Sequence, residues 1–166
     1  MTFNKFFIIL LLALSWSFSC VRYSFKGALP SYLKTIYIAD FENETAYPGV
    51  QQEFMQKVTE AFIKDNSLTV INNEKDADLV LSGAITSIDR RPVSITQQEQ
   101  VQEYQMVVNI KAECLNTHIN KPLWGSTLSR FSVIPGAALR TDIDTAISDD
   151  IDQIVDDIIN NTIAAW

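Results

Sequence analysis

The residues that could carry out covalent chemistry are few. The chain of 166 residues has a single histidine, His118, and two cysteines, Cys20 and Cys114. A serine, cysteine or threonine nucleophile needs a neighbouring base, and the sequence pattern places His118 in a turn, where an exposed histidine is common. The sequence contains no glycine-rich phosphate loop, no H-E-x-x-H pair and no spaced cysteine pair. We therefore predict that the protein is not an enzyme and uses no cofactor and no metal.

Two adjacent arginines are the residues best suited to an anionic ligand. Arg90 and Arg91 lie in a chain whose formal net charge is -7. Paired guanidinium groups can hold a phosphate bidentately, and an isolated positive site on an acidic protein binds selectively. We expect both arginines at the end of a long strand. Lys111 and Arg130, on the two following strands, are weaker candidates for the same site.

The acidic residues offer a competing interpretation of these arginines. In this alternative, the arginines belong to a turn and pair with acids such as Asp89 and Glu99. Other acids are concentrated in the last predicted helix, where we expect a solvated face rather than a calcium site, because calcium loops need glycine and non-helical backbone. These helical acids are Asp149, Asp150, Asp152, Asp156 and Asp157.

Composition limits the class of protein. Hydrophobic residues make up 47% of the chain and charged residues 20%, which suits one globular domain and excludes a disordered protein. The calculated isoelectric point near 4.6 argues against a protein that coats nucleic acid, because neutralising phosphates needs a basic surface.

The first twenty residues have the layout of an export signal. Lys5 precedes an apolar run over residues 6–14, which is too short to span a bilayer as a helix. Small residues follow, and Ser19 directly precedes Cys20, an arrangement that resembles the lipobox of bacterial lipoproteins, in which this cysteine is acylated. We predict a signal peptide over 1–19 and a lipidated tether over 20–31. The alternative is an ordinary signal peptide in which Cys20 is a chance thiol.

Hydrophobic periodicity predicts one domain over 32–166. We expect strands at 34–41, 68–71, 78–88, 101–115 and 123–133, and amphipathic helices from Gly49 to about Asp65 and from about Thr141 onwards. Arg90, Arg91 and Pro92 are expected to end the third strand. The fold class is α+β, a small, mostly antiparallel β-sheet with two α-helices packed on one face.

The strand at 101–115 has the clearest alternation. One face carries only apolar or small residues, Met106, Val108, Ile110, Ala112 and Cys114. Asn109, Lys111 and Glu113 point the other way, as in a strand with one buried face. Cys114 is therefore predicted to be a core residue rather than a reactive thiol.

Several segments, in order, resemble the LPS-assembly lipoprotein LptE family. They are YSFKG at 23–27, LKTIYIADFENET at 33–45 with Pro48-Gly49, ADLVLSG at 77–83, Leu123-Trp124 and the closing helix at about 146–166. The resemblance implies a lipid-anchored, periplasm-facing outer-membrane lipoprotein that lodges inside the LptD β-barrel and assists delivery of lipopolysaccharide to the outer leaflet. Arg90 and Arg91 are inferred from charge and are not carried over from the family.

A second resemblance leads to a different function. Residues 36–45 are also similar to the opening of lipoproteins of the curli-secretion and penicillin-binding-protein-activator group. That similarity implies an oligomeric scaffold in the envelope rather than a barrel plug.

Overall fold

The computed structural model describes residues 29–95 and 101–164. The predicted signal peptide, Cys20, Glu99 and Trp166 lie outside the described residues. The elements, in chain order, are β1 (Thr35–Ile38), β2 (Glu42–Asn43), α1 (Val50–Asp65), β3 (Thr69–Val70), a single 3-10 turn (Glu74–Asp76), β4 (Leu79–Ile95), β5 (Val101–Asn116), β6 (Lys121–Pro135) and α2 (Arg140–Ile163).

The sheet has the strand order β3-β1-β4-β5-β6, with the short β2 also paired to β4. Its three long strands, β4, β5 and β6, form an antiparallel meander, whereas β1, β2 and β3 pair in parallel. The predicted α+β class with a mostly antiparallel sheet is confirmed.

Both helices contribute to one hydrophobic core on one face of the sheet. Val50, Phe54, Val58 and Phe62 repeat every fourth residue of α1 and are buried, so the apolar stripe predicted for this helix faces the sheet. Four isoleucines of α2 and the five apolar or small residues predicted for β5 belong to the same cluster; the isoleucines are Ile147, Ile151, Ile154 and Ile158. None of the helices in the described ranges is long and apolar enough to cross a membrane.

The segment between β1 and α1 is shaped by a side-chain turn and an aromatic contact. Asn43 Oδ1 accepts hydrogen bonds from the amide and the hydroxyl of Thr45, at 3.0 and 2.8 Å. Phe41, fully buried, packs with its ring centroid 4.7 Å from that of Phe54. The Phe41 ring also lies directly over Gly83 of β4, where a side chain would collide with it.

Strand β4 is longer than predicted. The expectation that Arg90, Arg91 and Pro92 end it is wrong, because pairing with β5 continues to Ile95. Pro92 is tolerated for two reasons. The pairing of β4 with β1 and β2 ends at Ile85, so β4 is an edge strand at Pro92. The register between β4 and β5 is also irregular just after Pro92.

Helix α2 begins slightly earlier than the predicted cap. The helix starts at Arg140 with Leu139 as its N-cap, not with Thr141. Asp142, in the first turn, accepts a hydrogen bond from the Leu139 amide at 2.8 Å. Its carboxylate therefore caps a free N–H and lies at the positive end of the helix dipole.

Candidate functional site

The four candidate basic residues do not form one cluster. Register places Arg90 opposite Met106 and Arg130 opposite Val108, so both occupy positions on the face covered by the helices. Alternation places Arg91 and Lys111 on the opposite face, which we call the outer face. The sequence therefore predicted strand positions but could not show this division.

Arg90 is engaged within the protein. Its guanidinium carbon lies 3.7 Å from the ring centroid of Tyr104, a cation–π contact. Its Nη2 atom also lies 3.5 Å from the carbonyl oxygen of Gly136. Because the residue is exposed at the end of the helix-covered face, these contacts orient the guanidinium without burying it.

Of the four residues, Arg130 is the one held in an ion pair with helix α2. Its Nη2 atom lies 2.5 Å from Oδ2 of Asp157 on α2, and both side chains are partly buried. This ion pair fixes α2 against β6. Arg130 is therefore better explained as a structural residue than as a ligand contact.

Arg91 lies on the outer face beside exposed apolar side chains. It pairs with Asp89 at 3.3 Å, which agrees in part with the alternative interpretation, but its side chain remains 61% exposed. Register aligns Arg91 with Gln105 and then Val133 across β5 and β6.

Among the described side chains in this part of the sheet, three apolar ones are at least half exposed: Val93, Phe131 and Val133. We call the group of Arg91, Val93, Phe131 and Val133 the distal patch. The apolar members were not predicted from the sequence. The available signal was an apolar residue at outer-face positions of β6, where alternation predicts polar side chains.

Lys111 lies elsewhere on the outer face. It lines a shallow cavity of about 330 Å³ together with Ser82, Glu44 and Glu113. The acidic neighbours reduce the local positive potential. Six residues separate Lys111 from Gln105, the β5 partner of Arg91, which corresponds to roughly 20 Å along a strand.

His118 is better connected than an ordinary exposed loop histidine. It lies in the β5–β6 turn with its Nε2 atom 2.7 Å from Oδ1 of Asp78. The other oxygen of Asp78 accepts hydrogen bonds from the Lys34 amide at 2.8 Å and from the amide and hydroxyl of Thr35, both at 2.9 Å. Desolvation acts to raise the pKa of Asp78, but these hydrogen bonds outweigh it, and the pKa falls from 3.8 to about 2.

This arrangement links three parts of the sheet. Asp78 precedes β4, the amides belong to the start of β1, and His118 belongs to the β5–β6 turn. All hydrogen-bonding atoms around Asp78 come from backbone, threonine or histidine, and no serine or cysteine nucleophile is among them. We therefore interpret His118 as part of a structural contact.

Cys114 and Asp150 lie in the core. Cys114 is fully buried, as predicted. Burial raises the pKa of its thiol to about 12; the hydrogen bond with Thr162 lowers this pKa by a smaller amount, and the charge of Glu113 raises it.

Asp150, by contrast, was expected on a solvated helix face and is fully buried. Within residues 29–95 and 101–164, no three histidine, cysteine or acidic side chains are placed to hold a metal ion.

Solved structures with this fold include several lipoproteins. An uncharacterized lipoprotein B from Nitrosomonas europaea has a TM-score of 0.58 at 17% identity, covering 82% of this chain and 85% of its own. The rare lipoprotein B from Shewanella oneidensis gives 0.56 at 12% identity, covering 76% and 92%. The PelC dodecamer from Paraburkholderia phytofirmans gives 0.51 at 16% identity, covering 77% and 89%. At these identities the similarities establish the fold alone.

Comparison of the sequence with models of protein families identifies the family of this chain. No curated protein sequence matches this chain. The family model described as "LptE: Lipopolysaccharide-assembly" matches residues 33–162, which is most of the chain and includes every described strand and both helices up to Thr162. The resemblance seen in the sequence motifs is thereby confirmed, and the chain belongs to the LptE lipopolysaccharide-assembly family.

Proposed function

We propose that this protein is an outer-membrane lipoprotein that lodges inside an LptD-like β-barrel and assists transport of lipopolysaccharide to the outer leaflet. The observation that carries the proposal is the match to the LptE family over residues 33–162. In this role the protein acts through shape and surface charge and makes or breaks no covalent bond. The oligomeric-scaffold alternative has less support, since it rests on ten residues of similarity.

The outer face of the sheet suits a polar lumen. Its central part carries Lys111, Glu113, Thr127 and Ser129, all exposed. The lumen of a wide membrane barrel is lined by polar side chains and water. A flat polar sheet can contact such a wall through hydrogen bonds and does not require a large apolar interface.

The membrane anchor completes the proposal. A signal peptide over 1–19 would be removed, Cys20 would be acylated, and residues 20–31 would tether the domain over 32–166. Acyl chains contribute about 0.8 kcal/mol for each buried CH₂ group, so several chains on one cysteine hold a domain at a membrane durably. Tethering also raises the local concentration of the domain near its barrel.

The distal patch is the part of the surface best suited to lipopolysaccharide. A phosphorylated, acylated glycolipid needs a cation for phosphate and apolar surface for its chains. Arg91 supplies the first, with Arg90 on the other face of the same strand, and Phe131 and Val133 supply the second. We place Lys111 and Arg130 outside this site, because one lies far along the outer face and the other is paired with Asp157.

Co-purification from detergent-solubilised envelope tests the main proposal. A tagged full-length protein should bring down a large outer-membrane β-barrel in near-equal amount. Recovery of a self-assembled ring without a barrel would instead establish the scaffold alternative. The Cys20→Ala variant should lose its membrane anchor and shift towards the soluble periplasmic fraction; full retention in membranes would show that the barrel, not acylation, holds the domain.

Charge-reversal variants test the ligand site. Arg91→Glu should weaken binding of purified lipopolysaccharide at least tenfold at low salt, and Arg90→Glu should have a smaller effect, because Arg90 is held by Tyr104. Lys111→Glu, also on the outer face but outside the distal patch, is the matched control and should bind normally. Equal weakening by Lys111→Glu and Arg91→Glu would show a general charge effect and no defined site.

A further inference from the structure

A buried acid lies between helix α2 and the edge strand β6. Asp150 is fully buried, and its Oδ1 atom accepts a hydrogen bond from the Ser132 hydroxyl at 2.7 Å. Its Oδ2 atom, also buried, has no hydrogen-bond partner in the described part of the chain. A buried carboxylate with one oxygen unpartnered is costly, whereas the neutral carboxylic acid is tolerated better.

The surroundings of Asp150 are unusually polar for a helix–sheet interface. Three side-chain contacts join β6 to α2, and together they form what we call the β6–α2 seam. They are Trp124 to Thr162 at 3.1 Å, Arg130 to Asp157 at 2.5 Å and Ser132 to Asp150 at 2.7 Å. Of these three contacts, the Ser132–Asp150 contact is the one that leaves a buried oxygen, Asp150 Oδ2, without a hydrogen-bond partner.

In the described part of the chain, Asp150 forms no ion pair, and the nearby basic side chains are engaged elsewhere. On β6, Arg130 is paired with Asp157, and on β4, Arg90 lies over the Tyr104 ring of β5. On α1, Lys57 pairs with Asp152 and with its own helix neighbour Glu53.

The remaining charged neighbour, Asp149, has the same sign as Asp150. Burial raises the pKa of Asp150; the Ser132 hydrogen bond lowers it and the Asp149 charge raises it further, with a net rise.

Water can reach this part of the seam. A groove of about 520 Å³ runs between β6 and the first turns of α2, and Ser132, Ile134, Ala146 and Asp149 line it. Asp150 is next to Asp149 in sequence and hydrogen-bonded to Ser132, so a small displacement of α2 would expose its carboxyl to the groove.

We propose that Asp150 is a proton-operated latch: α2 is seated firmly on β6 when the carboxyl holds its proton, and loss of the proton loosens the N-terminal half of α2. Because the folded state binds this proton more tightly than the unfolded chain, the stabilisation is complete below the ordinary aspartate range. This stabilisation is lost as the pH rises through the higher pKa that Asp150 has in the folded state. The latch concerns the fold itself and does not depend on the proposed role in lipopolysaccharide transport.

Urea unfolding of the purified full-length protein between pH 4.5 and 8 tests the latch. The ratio of the folding equilibrium constants of wild type and Asp150→Asn should change with pH, by up to about tenfold per pH unit at its steepest, since one proton is involved. Asp156→Asn, which alters an exposed acid on the same helix, is the matched control and should give a ratio independent of pH. Parallel profiles for wild type and Asp150→Asn would overturn the proposal.

Two measurements on wild type keep the test decisive if Asp150→Asn does not fold. The carboxyl ¹³C signal of Asp150 should titrate at higher pH than those of the exposed aspartates; titration together with them would refute the latch. Amide hydrogen-exchange protection, corrected for intrinsic rates, should fall more steeply with rising pH in the N-terminal half of α2 than in α1. Equal loss in both helices would show global destabilisation and no latch.

Discussion

Gly83 is the position where one methyl group should have the largest effect on this fold. A Cβ atom added there would lie 2.0 Å from the carbonyl oxygen of Lys111 and 2.6 Å from Cε1 of Phe41. The first contact is with the backbone of β5 and cannot be relieved by a rotamer change. Gly83→Ala must therefore displace β4 from β5 and also shift the Phe41 ring.

The size of the effect follows from the geometry. Overpacked core substitutions typically cost about 1–3 kcal/mol, and a clash with main chain belongs at the upper end, about 3 kcal/mol. With a urea m-value of about 1.5–2 kcal/mol/M, the unfolding midpoint should fall by roughly 1.5–2 M. That loss is a large part of the about 5–15 kcal/mol that stabilises a typical domain.

Gly125 provides the matched control. It lies in β6, on the other side of β5, and an added Cβ would meet only the Glu113 side chain, at 3.5 Å and beyond. Gly125→Ala should therefore change stability by less than about 1 kcal/mol, with a gain expected from the less flexible unfolded chain. Urea unfolding followed by circular dichroism compares the two variants, and midpoints within 0.5 M of each other would refute the argument from close approach.

Three further predictions concern charges and the buried thiol. Asp78→Asn should cost about 1–2 kcal/mol at pH 7, because the pKa of Asp78 is held at about 2 but solvent partly screens the carboxyl. Wild type should lose this increment as the pH falls from 4 to 2, and the variant should not, as acid unfolding curves will show. Cys114 should resist a thiol reagent at pH 8 in the folded protein and react once urea unfolds it, since burial raises its pKa to about 12; rapid labelling without denaturant would contradict its burial. Arg130→Ala should destabilise the fold by about 1–3 kcal/mol, because it leaves Asp157 partly buried without its cation. A double-mutant cycle with Asp157→Asn tests this: additive effects of the two substitutions would show that the ion pair contributes nothing.

The sequence was most informative where a strand lies in the middle of the sheet. Strand β5 has neighbours on both sides, and its inward apolar side chains belong to the core shared with both helices, so alternation alone identified Met106, Val108 and Cys114 as core. The same reasoning gave both helices and the α+β class, because their apolar stripes face one surface.

Prediction failed where tertiary contacts override local pattern. Pro92 was expected to end β4, but at an edge strand a missing N–H costs little. Asp150 was assigned to a solvated helix face together with the other acids of α2; only the contact of α2 with Ser132 shows that it lies inside. Phe41 and Gly83 each lie in a segment that resembles the LptE family, but only the structure shows that they are in contact.

The division of the basic residues between two faces constrains any ligand. Arg91 and Val133 are two strand spacings apart, roughly 10 Å, which a single phosphorylated amphiphile can span. Adding Lys111 would require roughly 20 Å more along the outer face, and Arg130 lies on the helix-covered face in an ion pair. Arg130 is held in an ion pair and Lys111 lies apart from the distal patch, so we propose that the anion site considered from the sequence reduces to Arg91, which pairs with Asp89, with Arg90 as the nearest second cation along the chain. This reduction makes the ligand hypothesis stronger, because it ties binding to one end of the sheet and to the exposed Phe131 and Val133 beside it.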